Sequence, residues 1–242
     1  MAAVAVLSGC GPRTGPTPQA DAAPPPRETP PSSGSASSGS APLSCTAQWR
    51  AHGHTTQTAA KAFAAQCLRD QGGVARQLNA ASVAVLARQA VPTGSGLTAL
   101  EPSDIEVFCP AYRRQGAEGR AAFWAGLLTA IARPESDYNT ATTLWEGGTQ
   151  QQFSIGLLQL SLSDEGGYRC GFRTEADITE PARNLACGEK ILLKLVSRAG
   201  FIGGDTAHQT SAAAAYWSTL RSSSPARAEI IGKTRALEAC RG

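Results

Sequence analysis

The sequence predicts a mainly α-helical domain with a minor irregular or hairpin lobe. Three observations carry that expectation. Apolar residues recur at helical spacing in five separate segments between residues 56 and 221. A polar, Gly-rich stretch from Asn139 to Gln152 interrupts the pattern once. Residues 11–44 hold nine of the fifteen prolines and no aromatic or β-branched aliphatic residue, so they lie outside any core.

The helices follow in order. Thr56–Arg69 places Ala60, Phe63, Ala64 and Cys67 on one face, with Gly72-Gly73 as a stop. Ala75–Ala90 repeats this spacing with Leu78, Ala81, Val85 and Leu86, and the turn-rich stretch Pro92–Pro102 breaks it. Glu118–Arg133 is the strongest helix: Phe123, Trp124, Leu127, Leu128 and Ile131 form a wide apolar stripe, as in a helix buried by its neighbours. Pro134 is expected to end or kink it. Pro181–Arg198 turns Leu185, Leu192, Leu195 and Val196 inward and Lys190, Lys194 and Arg198 outward. Gln209–Arg221 is the last, with the small run Ala212–Ala215 allowing close helix approach. No internal repeat is visible.

The start of the chain reads differently. Leu7-Ser8-Gly9-Cys10 resembles a bacterial lipobox, in which the signal is cut before a cysteine that then carries a lipid. The preceding apolar run is short and contains no Lys or Arg, which places the expected true start upstream of Met1. The alternative is a chance tract of small residues. From Gly11 to Ser44 the composition cannot offset the entropy of ordering, and a Pro-rich tether is expected, at most ~100 Å long if fully polyproline-like. The expected organisation is a signal at 1–9, the lipidated Cys10 and tether at 10–44, a helical extension at 45–102 and a catalytic domain at 103–242.

Several function classes drop out. No run approaches the ~20 apolar residues that a membrane-spanning helix needs. A net charge of +3 is too mild for a dedicated nucleic-acid binder. The seven cysteines form no C-x-x-C pair and the three histidines no ligand cluster, so neither a metal nor another cofactor is expected. His52-Gly53-His54 reads as an exposed loop. Gly232-Lys233-Thr234 lacks the leading glycine of a phosphate loop, because that position is Arg227. Gly94-x-Gly96-x-x-Ala99 follows no strand and adjoins Pro92, and no G-x-S-x-G is present.

One carboxylate stands out. Glu135 lies four residues after Ile131 and eight after Leu127, near the apolar face of the strongest helix. A carboxyl at the edge of an apolar surface resists ionisation, and a protonated carboxylic acid near neutral pH is what protonation of a glycosidic oxygen requires. A lone Glu at a helix end is more often a solvated charge, so its context decides.

Residues 131–139 read Ile-Ala-Arg-Pro-Glu-Ser-Asp-Tyr-Asn, and residues 154–160 read Ser-Ile-Gly-Leu-Leu-Gln-Leu. Asn184-x-x-x-Gly188 with Leu192, and then Ala215-Tyr216, follow in order. This series resembles the Glu-Ser, Gly-Leu-Met-Gln, helix and Ala-Tyr-Asn motifs of lytic transglycosylases of the soluble-type (SLT), lysozyme-like family. The likeness covers roughly 100–120 residues and does not reach Cys45–Pro102. Two positions depart from it: Leu158 stands for the usual Met, and Trp217 for the Asn after the Tyr.

The resemblance implies a lysozyme-like (α+β) catalytic domain with Glu135 as the acid and base. It implies that Ser136 orients Glu135 or touches substrate, that Gly156, Leu157, Leu158 and Gln159 wall the sugar groove, and that Tyr216 fixes the Glu135 carboxyl. Leu157 and Leu158 are equally good core residues, and Trp217 puts the substrate contacts made at that position in doubt. The implied reaction is non-hydrolytic cleavage of peptidoglycan between N-acetylmuramic acid and N-acetylglucosamine, closing a 1,6-anhydro ring. A hydrolytic muramidase is the first rival, since Asp137, Glu146, Asp164 and Glu165 could each supply a second carboxylate. Asp137 is too near Glu135 in sequence to be assumed in the same cleft. A wall-binding lipoprotein that cleaves poorly is the second rival.

Setting Cys10 aside leaves six cysteines. Cys170–Cys187 is the expected pair bracketing the polar segment before Pro181. The other four allow three pairings, of which Cys45–Cys67 with Cys109–Cys240 is favoured. Disulfides and a lipobox together point to the bacterial cell envelope, on the periplasmic face of the outer membrane. The expected partners are glycan strands and, through Cys10, a membrane.

Overall fold

The computed structural model describes residues 43–53, 56–208 and 211–241. Cys10, the signal and almost all of the tether lie outside the described residues. Pro42–Gly242 is one compact unit, so the expected helical extension and catalytic region share a core. Among the described residues the helices are α1 (Cys45–His52), α2 (Gln57–Asp70), α3 (Ala80–Ala90), α4 (Ile105–Phe108), α5 (Ala117–Ser136), α6 (Asp164–Tyr168), α7 (Pro181–Ala199), α8 (Ala212–Tyr216) and α9 (Pro225–Arg235). The sheet among the described residues is one antiparallel hairpin of β1 (Thr143–Glu146) and β2 (Gln152–Ile155). The mainly α, lysozyme-like architecture expected from the sequence is the observed one.

Helix α5 is the axis. Phe123, Trp124, Leu127, Leu128 and Ile131 are fully buried, and Trp124 Nε1 donates to Tyr112 Oη at 2.8 Å, so its one polar atom is satisfied inside. Helices α3 and α9 pack on it, and α7 packs on α3. Helix α7 begins on a proline, whose missing N–H costs nothing at a first helical position, and ends at Gly200 in the left-handed region. Its buried stripe of Leu185, Gly188, Ile191, Leu192 and Val196 follows the helical period.

Some elements differ from expectation. The helix expected over 75–90 starts only at Ala80, because residues before it run extended, with Gln77 bridging to Asn139 and Asn79 capping Ser82 N–H at 2.8 Å. The helix expected over 209–221 is cut to α8, since Trp217 leaves helical geometry to bury its indole. Residues 209–210 lie outside the described residues. Helix α1 has no counterpart among the helices expected from apolar spacing. Its first two N–H groups, at Cys45 and Thr46, donate to the buried Glu175 carboxylate at 2.9 Å each, a cap supplied from 130 residues away.

The hairpin obeys the period of two. Leu144, Glu146, Gln152 and Ser154 face a groove, whereas Trp145 and Phe153 pair across the strands on the opposite side. Their rings lie 5.0 Å apart, and Trp49 of α1 and Phe63 of α2 close the cluster from behind. The Gln57 side-chain amide pairs with both backbone groups of Trp145, at 2.7 and 3.2 Å, covering the strand edge. The N-terminal helices therefore back the hairpin that forms one wall of the groove.

The structure contains disulfides Cys45–Cys67, Cys109–Cys240 and Cys170–Cys187, the three favoured pairs. In the chain-entropy view each contributes about 3–5 kcal/mol, most for the 131-residue separation of Cys109 and Cys240.

Candidate active site

A groove of about 810 Å³ runs between the end of α5, the open face of the hairpin, the start of α6 and the turn after α8. Glu135, Glu146, Gln159, Asp164, Tyr216 and Thr219 line it.

Glu135 reaches the groove because α5 does not stop at Pro134. A proline removes one N–H and displaces one carbonyl, a loss tolerated in a last turn. The helix continues to Ser136 and closes at Asp137, which adopts φ 52° and donates its N–H to the Arg133 carbonyl at 2.9 Å. The expected break at Pro134 thus falls two residues late, with Glu135 inside the final turn. The side chain is half-buried and accepts a hydrogen bond at Oε1 from Thr219 Oγ1 at 2.7 Å. Burial raises the Glu135 pKa, the Thr219 bond opposes the rise, and the charge of Glu146 adds to it.

The segment Gly156–Gln159 is built differently from the groove wall that the resemblance implied. Leu157 and Leu158 are fully buried, and Gly156 sits at φ 78°, where a side chain would run 2.7 Å from Asn184 Nδ2. Asn184, itself fully buried, accepts from Leu158 N–H at 3.1 Å and donates to the carbonyls of Ile178 and Ile155 at 3.1 and 3.3 Å. One turn along α7, Gly188 leaves the space that Leu158 fills; a Cβ there would overlap Leu158 Cδ1. The Leu158 carbonyl accepts from Trp217 Nε1 at 2.9 Å. Asn184, Gly188 and Trp217 thus hold one residue by its amide, side chain and carbonyl. The indole of Trp217 is buried and satisfied in the core, at the inner edge of the groove that it helps to line.

Ser136 also has an inward role. It is buried, and its Oγ bonds the carbonyls of Ala132 and Leu157 at 3.0 Å each, tying the end of α5 to the same turn. It makes no hydrogen bond to Glu135. Of the four residues expected to wall the groove, Gln159 alone lines it, and its Nε2 is engaged by the carbonyls of Thr142 and Gly156 at 3.1 and 2.9 Å.

Tyr216 corrects the expectation most directly. Its hydroxyl donates to Asp164 Oδ2, not to Glu135. Asp164 opens α6 and also accepts from Ser161 N–H at 2.8 Å. Burial pushes the Asp164 pKa up against these bonds. Burial, together with the adjacent Asp164, holds the Tyr216 phenol well above its ordinary range. The reason lies in the chain after α8: Trp217 turns inward, and the following turn at Ser218–Leu220 brings Thr219 to Glu135 in place of Tyr216.

The other carboxylates sort cleanly. Glu146 lies in the groove and its Oε1 accepts from Ser154 Oγ at 3.1 Å. Asp137 is exposed and paired with Arg133. Glu165 accepts the N–H groups of Gly171 and Phe172. The alternation of β1 could have singled out Glu146, since Trp145 must face the core. Thr219 carries no sequence signal, being one hydroxyl 84 residues from its partner.

The profile of the transglycosylase SLT domain matches residues 114–223. Among solved structures the chain is similar to DslA, in its wild-type form and in two variants that each exchange one glutamate for glutamine, eleven positions apart. The identity is 31%, the TM-score 0.60, and the match covers 66% of this chain and 91% of that one. Among curated proteins, none matches this sequence.

Proposed function

Because the chain belongs to the transglycosylase SLT-domain family, we propose that its groove cleaves the β-1,4 bond between N-acetylmuramic acid and N-acetylglucosamine in peptidoglycan. The observation that carries this reading is a half-buried Glu135 whose burial favours the protonated form at the edge of an open, sugar-sized groove. Glu135 gives its proton to the glycosidic oxygen as the bond to the muramic C1 breaks. The muramic 6-hydroxyl then bonds to C1 and returns its proton to Glu135, leaving a 1,6-anhydro end and restoring the acid. The nucleophile comes from the substrate, so one carboxylate suffices.

A second reading is hydrolysis, favoured by Glu146. It lines the same groove, is held by Ser154, and its charge disfavours ionisation of Glu135. Glu135 and Glu146 are eleven residues apart, the spacing of the two glutamates exchanged in DslA. In this reading Glu146 activates a water and the product is a reducing end. Digestion of purified sacculi followed by mass spectrometry separates the outcomes: anhydro ends support the lyase, reducing ends the hydrolase. Glu146→Gln adds a kinetic test. A hydrolase should lose about 10²–10⁴-fold in rate. A lyase should keep its rate, with the alkaline limb of its pH profile moved to lower pH as the neighbouring negative charge disappears.

We further propose that Cys10 carries a lipid that holds the domain at the periplasmic face of the outer membrane, where disulfides persist. Metabolic labelling with an alkyne fatty acid should mark the parent and not Cys10→Ala. A label that survives the substitution sinks this part of the reading.

A further inference from the structure

The acid in this groove needs a partner that fixes which oxygen carries the proton. The resemblance assigned that part to Tyr216, whose hydroxyl is committed to Asp164. We infer that Thr219 is the positioning residue of Glu135, and that Tyr216 with Asp164 is a separate polar unit of the groove. This deepens the proposed function and rests on Glu135 being its acid.

The geometry is local and well braced. Thr219 Oγ1 lies 2.7 Å from Glu135 Oε1. The turn that carries it is pinned on one side by the buried Trp217, bonded to the Leu158 carbonyl, and on the other by the fully buried Leu220. Leu220 N–H donates to the Trp217 carbonyl at 3.0 Å and Arg221 N–H to the Ser218 carbonyl at 3.1 Å, closing the turn. A hydroxyl donating to Oε1 makes that oxygen an acceptor, so the transferable proton resides on Oε2. After transfer the same bond becomes charge-assisted and steadies the carboxylate, which must next take a proton back. One donor thus serves both halves of the reaction.

The charged and titratable groups around Glu135 are Glu146 on β1, Tyr216 on α8 with Asp164 of α6 behind it, and Arg221 after the turn. On its own helix Arg133 and Asp137 pair with each other. Of these elements' side chains, Thr219 supplies the hydrogen bond that opposes the burial of Glu135.

The test compares Thr219→Val, Thr219→Ala, Thr219→Ser and Tyr216→Phe with the parent and Glu135→Gln, using digestion of purified sacculi across pH. Thr219→Val should stay folded and keep its KM while kcat falls about 10- to 100-fold, the scale of a mispositioned catalytic group. Its alkaline limb should move to higher pH, because the carboxylate has lost the donor that favours it. Thr219→Ser should restore both quantities, and Thr219→Ala covers a Val that fails to fold. Tyr216→Phe should not produce that shift. The inference is overturned if Thr219→Val and Thr219→Ala match the parent in kcat and pH profile while Glu135→Gln is inactive. It is equally overturned if Tyr216→Phe, and not the Thr219 variants, moves the limb. A Glu135→Gln enzyme as active as the parent would instead remove the reading beneath it.

Discussion

Glu135→Gln should lose about 10²–10⁴-fold in cleavage of sacculi, the usual contribution of a general acid, and should melt higher than the parent at neutral and alkaline pH. The two effects have one origin. Burial raises the Glu135 pKa above that of an unfolded chain, so its protonated form is the one the fold accommodates. Below the unfolded carboxylate range, near ~4, the carboxyl is protonated in both states and places no penalty on folding. As pH rises through the elevated folded value, the native state must ionise a half-buried group and loses that stability. A neutral amide is spared this, and its carbonyl oxygen can still accept from Thr219. Thermal melts at pH 3 and pH 8 check the sign: the curves should converge at pH 3 and separate at pH 8, with the variant above. A variant that melts no higher than the parent at pH 8 would contradict the electrostatic account of the site.

Asn184→Ala should be among the most damaging single changes outside the groove, with a loss of about 3 kcal/mol or more. The substitution leaves the Leu158 N–H and the Ile178 carbonyl without their side-chain partner in a fully buried position, and takes the second donor from the Ile155 carbonyl, which keeps the Leu160 N–H. Each buried polar group left unmet costs about 1–3 kcal/mol. Urea denaturation should show a lower midpoint at an unchanged slope. Cleavage should fall as well, because the same amide holds the turn that delivers Gln159 to the groove. A loss below about 1 kcal/mol would mean that backbone geometry alone fixes the turn.

Legibility in the sequence followed the range of the interactions. Helix α7 spans Pro181–Ala199 against an expected 181–198, since a starting proline, an apolar stripe and a closing glycine are all local signals. Glu135 was legible for the same reason, being placed by the spacing of its own helix. The expected helix over 209–221 outruns α8 because the alanine run favours helix locally, and the burial of Trp217 overrides that preference. Helix α1 has eight residues and buries only Cys45 and Trp49, too short a pattern to stand out although Ser44 and Gly53 cap it locally, and the carboxylate that takes its first two N–H groups comes from Glu175. Leu157 and Leu158 were legible as core or as groove wall, and the sequence left the two open because Asn184, Gly188 and Trp217, which hold Leu158, lie on α7 and after α8. The inward role of Ser136 was not legible, because it depends on the Leu157 carbonyl 21 residues away. The Tyr216–Asp164 and Thr219–Glu135 bonds span 52 and 84 residues, and one-residue differences in where a turn falls decide which hydroxyl meets which carboxylate.

The Cys45–Cys67 bond also sets the path of mechanical force. Cys45 is the first residue of α1, and its partner lies near the end of α2. Tension arriving along the chain at Ser44 passes through the sulfur atoms into the end of α2 and bypasses the rest of α1 after Cys45, which as a short helix would be the first to peel. Stretching the leader therefore cannot unravel the N-terminal helix from its end without breaking a covalent bond. In the oxidised protein, the aromatic backing of the groove wall is shielded from whatever pulls on the leader; in the reduced protein it is the first part to feel it.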